Sequence, residues 1–147
     1  MDTQSAMTRS SRDPVNGYQY PQQLIDIDAW YASQVASLAY TLSQLTTPSG
    51  KSLLDQTVIC WGSELDMGAA HNHDDTPFVL IGGGGGRLKT GRVVRFPLNL
   101  PGNQASSGNR YHNDLLTTLA TVMGVSLPGG TFGTSDYCTQ PIREILA

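Results

Sequence analysis

The chain is short of charge, of cysteine and of long apolar runs. Charged residues make up only 14% of it, and nine basic against twelve acidic residues leave a net charge of −3. Such a chain carries no overall positive field, which argues against a nucleic-acid partner. No apolar run approaches the roughly 20 residues that a membrane-crossing helix needs, so no membrane span is expected. The opening MDTQSAMTRSSRDPVNGYQYPQQ has no apolar core after its charges and does not read as a signal peptide. Cys60 and Cys138 permit one disulfide and require none. Cys60, inside the apolar TVICW, reads as a buried free thiol, and the redox compartment stays open. The scarcity of charge is not disorder, because apolar residues make up 39% of the chain and recur at regular spacing. A chain of 147 residues suffices for one domain with a core.

Residues 1–21, polar and broken by Pro14, Gly17 and Pro21, read as an N-terminal arm, and residues 22–147 as a single α/β domain. Leu24, Ile27, Tyr31, Val35, Leu38, Leu42 and Leu45 advance in steps of three and four. That spacing predicts a helix with one apolar face, stopped by Pro48 and Gly50 in TTPSG. TVICW (57–61) and FVLI (78–81) are short and apolar on both faces, as in strands buried within a parallel sheet. RVVRF (92–96) alternates and reads as an edge strand. Leu115, Leu116, Leu119, Val122 and Met123 give the buried stripe of a second helix, which Gly124 ends. Helices alternating with strands predict an α/β layer arrangement.

Five glycines at 82–86 follow the second strand. They do not make a phosphate loop: Leu88, not glycine, precedes Lys89 and Thr90, and a strand rather than a helix follows. A flexible connection, or a close approach of backbone to a neighbour, is the expected role. Arg87, Lys89, Arg92 and Arg95 read as solvated side chains.

The loop between the strands holds Glu64, Asp66, His71, His73, Asp74 and Asp75. Imidazole and carboxylate are the usual ligands of zinc and similar divalent ions, and strand ends are where open α/β sheets place their sites. His-x-His alone is a weak signal, since polar neighbours in a loop are readily solvated. A third imidazole would have to come from His112, which reads as a packing or capping residue where the second helix opens.

The run LLDQTVICWGSELDMGAAHNHDDTPFVLIGGGGGRLKTGR resembles a mostly exported bacterial family, called domain of unknown function 1552. IDAWYASQVASLAYTLSQL before it and YHNDLLTTLATVMGV after it fit that family's C-terminal portion, so the resemblance covers about residues 24–138. Members are longer, which implies that this chain is a C-terminal piece of a larger domain whose N-terminal part would be its partner. The family in turn resembles the alkaline phosphatase and sulfatase superfamily. That implies a partial three-layer fold, a mainly parallel sheet flanked by helices, and a periplasmic or extracellular location.

In that superfamily a strand ends in an Asp-His pair that binds one metal, and a later His binds a second. In cofactor-independent phosphoglycerate mutase the later His stands six residues before a Pro-Phe that begins a strand, as His71 stands before Pro77 and Phe78. Glu64 falls on the Asp of the pair, and the His of the pair falls on Leu65, which cannot bind metal. The resemblance therefore implies a divalent ion (zinc, manganese or calcium) on Glu64 and His71 with His73. Asp66, Asp74 and His112 are further candidates. The implied activity is hydrolysis of a phosphate or sulfate ester, with a small-molecule ester or a glycan as substrate and the nucleophile on missing upstream sequence. Two alternatives remain open: a secreted binding or envelope-associated module that keeps the fold without catalysis, and an autonomous metal-binding domain using His71, His73 and His112.

Overall fold

The structure is a computed structural model and describes residues 22–65, 71, 73, 76–96 and 110–147. The arm at 1–21, Asp66, Asp74 and Asp75 lie outside the described residues. Three helices, α1 (Gln22–Gln44), α2 (Leu53–Gln56) and α3 (His112–Val122), accompany two strands, β1 (Ile59–Gly62) and β2 (Phe78–Ile81). The strands form one small antiparallel sheet, so the chain is mixed α/β. The parallel pairing expected from two doubly apolar strands is not what they adopt. The chain returns directly alongside β1 with Phe78 against Gly62, and adjacent antiparallel strands need no helical crossover. Burial along β1 alternates, so Cys60 is exposed rather than a core thiol.

The described residues group into two compact units, one within residues 22–41 and 60–79 and the other within 42–59 and 80–147. In the first, α1 forms where the three-and-four spacing put it, but much of its stripe is uncovered. Tyr31 is 53% exposed, Trp30 beside it 57%, and Ile27 and Leu38 are exposed as well. Periodicity fixes which face is apolar; it does not supply something to cover that face.

The second unit begins with a turn, Gly50 N–H donating to Thr47 C=O at φ +80°. A capping box opens α2: Ser52 Oγ accepts from Asp55 N–H at 3.1 Å, and Asp55 Oδ2 accepts from Ser52 N–H at 3.2 Å. The glycine run then packs against α2, which settles its role. A Cβ on Gly82 would collide with the Thr57 carbonyl, and one on Gly83 would stand 2.7 Å from the Asp55 carbonyl. One on Gly84 would strike Val122 of α3. The close-approach reading therefore holds for Gly82, Gly83 and Gly84.

The centre of this unit is α3. Leu115 and Val122 are buried with Leu88 and Ile142. Met123, expected in the same stripe, is 53% exposed because the helix ends before it. Gly124 at φ +71° lets Val125 N–H reach back to Ala120 C=O at 2.9 Å. Arg87 then donates to the Val122 carbonyl at 2.8 Å, setting a cation at the negative end of the helix.

The other half of α3's buried face is polar: Asp114, Thr117 and Thr118. Asp114 is 0% exposed and accepts from Thr139 N–H (2.6 Å), Thr139 Oγ1 (2.7 Å) and Gln140 N–H (3.1 Å). Arg110 stands 3.6 Å from its Oδ2. Thr118 Oγ1 accepts from Ile142 N–H at 2.7 Å, and Thr117 Oγ1 accepts from Phe132 N–H at 2.9 Å. Three side chains thus pin residues 132–142 onto one helix face. Beyond them, Leu146 bridges Leu88 antiparallel and Lys89 N–H donates to Ile145 C=O at 2.9 Å. The ladder goes no further. RVVRF, expected as an edge strand, belongs to no ladder among the described residues.

Burial alone would raise the Asp114 pKa, but hydrogen bonds from Thr139, Cys138 and Gln140 outweigh it and hold the carboxyl below its usual value. Its contribution to stability is therefore complete above the unfolded value of about 4 and lost as pH falls through the lower folded value. Asp114→Asn is expected to cost about 2 to 4 kcal/mol at neutral pH. In urea melts the gap to the parent protein closes below about pH 4. A gap constant from pH 7 to pH 2 would contradict this account. Gly84→Ala, which meets Val122, is expected to cost at least about 3 kcal/mol. Gly86→Ala, with nothing within 4 Å of its Cβ, costs about 1 kcal/mol from its φ of +87° alone.

Candidate functional site: the loop between β1 and β2

The two ends of the loop are pressed together where it leaves the sheet. A Cβ at Gly62 would lie 2.5 Å from Phe78 Cδ1 and 2.7 Å from the Pro77 carbonyl, so only glycine lets β2 enter there. Ser63 then turns the chain: its Oγ accepts from Leu65 N–H at 3.3 Å and donates to Leu65 C=O at 2.8 Å. This turn leaves the Glu64 side chain exposed.

His73 reaches back to the same turn, its Nδ1 lying 2.5 Å from the Glu64 carbonyl oxygen. A carbonyl oxygen only accepts, so Nδ1 carries the proton. In the neutral ring Nε2 then keeps its lone pair. A backbone carbonyl fixing one ring nitrogen so that the other can coordinate is the usual support of a metal-binding imidazole. His71, two residues earlier, has φ +52°, the one non-glycine residue at positive φ among the described residues. Histidine is among the few side chains enriched in that region.

Glu64, His71 and His73 all lie in the first unit, and all three are exposed. The structure ties His73 to Glu64 through the latter's backbone rather than its carboxylate. Among the described residues no group of three or more His, Cys, Asp or Glu side chains stands close enough to hold a metal ion. Asp66 and Asp74 lie outside those residues, and His112 is exposed in the second unit as the first residue of α3. Leu65 is half-buried, its amide held by Ser63.

The glycine run does not offer a phosphate cradle. The N–H groups of Gly86, Arg87 and Leu88 all donate to Gly83 C=O, at 2.9, 3.1 and 3.2 Å, and so are used within the loop. It borders a cleft of about 260 Å³ with Lys51, Asp55 and Gln56, where Asp55 is already engaged in capping α2.

The sequence did not reveal the carbonyl of Glu64 as a partner, because a backbone group leaves no trace in residue type. The polar face of α3 did leave one: Asp114, Thr117, Thr118 and Thr121 recur at helical spacing beside the apolar stripe. Comparison of the chain with protein-family models, with curated proteins and with solved structures finds no match. One property of the loop is directly measurable. In long-range ¹H–¹⁵N spectra of the neutral ring, His73 is expected as the Nδ1–H tautomer. An Nε2–H tautomer would mean the bond to the Glu64 carbonyl is not made in solution.

Proposed function

We propose that the β1–β2 loop binds a divalent cation and serves hydrolysis of a phosphate or sulfate ester. The observation that carries this reading is the orientation of His73, whose Nδ1 is committed to a backbone carbonyl while Nε2 keeps a coordinating lone pair. Two features lend support. Glu64 stands two residues beyond the end of β1, and β2 begins at Phe78, the spacing from His71 that the superfamily resemblance calls for. His73 Nε2 would be the first ligand, and Glu64 and His71, which do not converge with it in this structure, would close on the ion as it binds; when bound it would polarise the ester and stabilise the attacking oxygen. In its fuller form the reading places the chain in an alkaline-phosphatase-like domain, three-layered and mainly parallel, of an exported bacterial protein. Upstream sequence would carry the nucleophile.

Leu65 favours a second reading. An apolar side chain stands where the superfamily places an imidazole, so the module would bind its ligand without catalysis. Both readings make the loop, not the glycine run, the functional element.

Titration with zinc and with manganese, followed by calorimetry, tests the proposal. One ion per chain is expected, with affinity falling at least about tenfold in His73→Ala and in His71→Ala. Binding without ester hydrolysis by the full-length protein supports the second reading. No binding of either ion, or binding that both variants leave unchanged, would overturn the site.

A further inference from the structure

From Val93 to Phe96 in the segment RVVRF, burial alternates as it does along a strand. Val94 and Phe96 are half-buried on one side, while Val93 and Arg95 are exposed on the other. Phe96 lies beneath the Arg110 guanidinium, 5.7 Å from its ring centre, and Arg92 reaches the Glu144 carbonyl at 3.4 Å. Those contacts hold one face of the segment on the second unit. Its backbone is different. The pairing of residues 88 and 89 with 145 and 146 stops there, and residues 90–96 make no backbone hydrogen bond with any described residue. Val93, 96% exposed, stands in the middle of this segment, with which no described residue forms a ladder. Valine and phenylalanine favour a paired strand, and an unpaired edge of that composition is a template for another strand.

Charge decides which strand. From residue 76 to residue 113 the chain has five basic residues and no acid, although its net charge is −3. Arg92 and Arg95 flank Val93 and Val94, and Lys89 lies just before them; all three basic side chains are exposed. An antiparallel second copy of this segment would set Arg92 against Arg95, or Arg92 against itself and Arg95 against Lys89, and like charges across a ladder oppose pairing. A lipid surface would leave the backbone groups unpaired by protein. We propose that residues 92–96 are a strand-addition site that takes an extended acidic segment of a partner protein. Backbone bonds would supply the pairing, and the partner's carboxylates would face Arg95 on the exposed side that it shares with Val93.

The probe is a blocked peptide alternating glutamate and valine, titrated into the full chain and followed by amide shifts and hydrogen exchange. Slowed exchange and shifts confined to residues 90–96 are expected, with binding weakened about threefold by Arg95→Ala and about tenfold by Arg95→Glu. A lysine–valine peptide is expected to bind Arg95→Glu better than the parent chain. Three results would overturn the proposal: equal binding of a peptide N-methylated at alternate residues, a preference of the parent chain for the lysine peptide, or no shift at millimolar peptide. Association of the parent chain with anionic vesicles, displacing the peptide, would equally overturn it in favour of a lipid surface.

Discussion

The second unit depends on a single carboxylate. Its buried apolar side chains among the described residues are few: Leu88, Leu115, Val122 and Ile142. That is little apolar surface for a segment of this length, and Asp114 supplements it by a different means. A buried carboxylate is costly unless every lone pair is used, and here the backbone of Thr139 and Gln140, the Thr139 hydroxyl and Arg110 use them. With the tail fixed on α3, Ile142 is placed in the core and Leu146 beside Leu88. The glycine run completes this arrangement because it lacks side chains. Gly84 packs on Val122 where any larger residue would push α3 away. Polar pinning and close backbone approach thus replace part of the apolar mass.

What the sequence revealed follows from what is local. The spacing of Leu24 to Leu45 located α1, and Leu115, Val122 and Gly124 located α3 with its end, because helical period and left-handed stops are properties of short segments. TVICW and FVLI were found as strands for the same reason. Where partners decide, residue type said less. The exposure of Tyr31 and Leu38 on α1, the antiparallel pairing of β1 with β2 and the absence of a ladder at RVVRF among the described residues depend on what lies alongside. The apolar pattern puts Met123 inside, yet it follows the last helical residue. The apolar neighbours of Cys60 point inward too, but burial along β1 alternates and leaves the thiol exposed.

The same distinction divides the candidate site. Glu64, His71 and His73 were legible as ligand types, while the feature that gives them chemical sense was not. His73 is oriented by a carbonyl, and that carbonyl is presented by the Ser63 turn after Gly62. Packing of Phe78 on Gly62 therefore bears on an imidazole eleven residues beyond that glycine, with no direct contact needed. The glycine run, the more conspicuous motif, turns its amides inward and serves packing. The less conspicuous turn carries the functional proposal.

X-ray absorption at the zinc edge of the zinc-loaded chain addresses that proposal most directly. The account predicts a first shell of nitrogen and oxygen at about 2.0 to 2.2 Å, with the outer-shell scattering of imidazole. A sulfur shell at about 2.3 Å would assign the ion to Cys60 or Cys138 instead and contradict it.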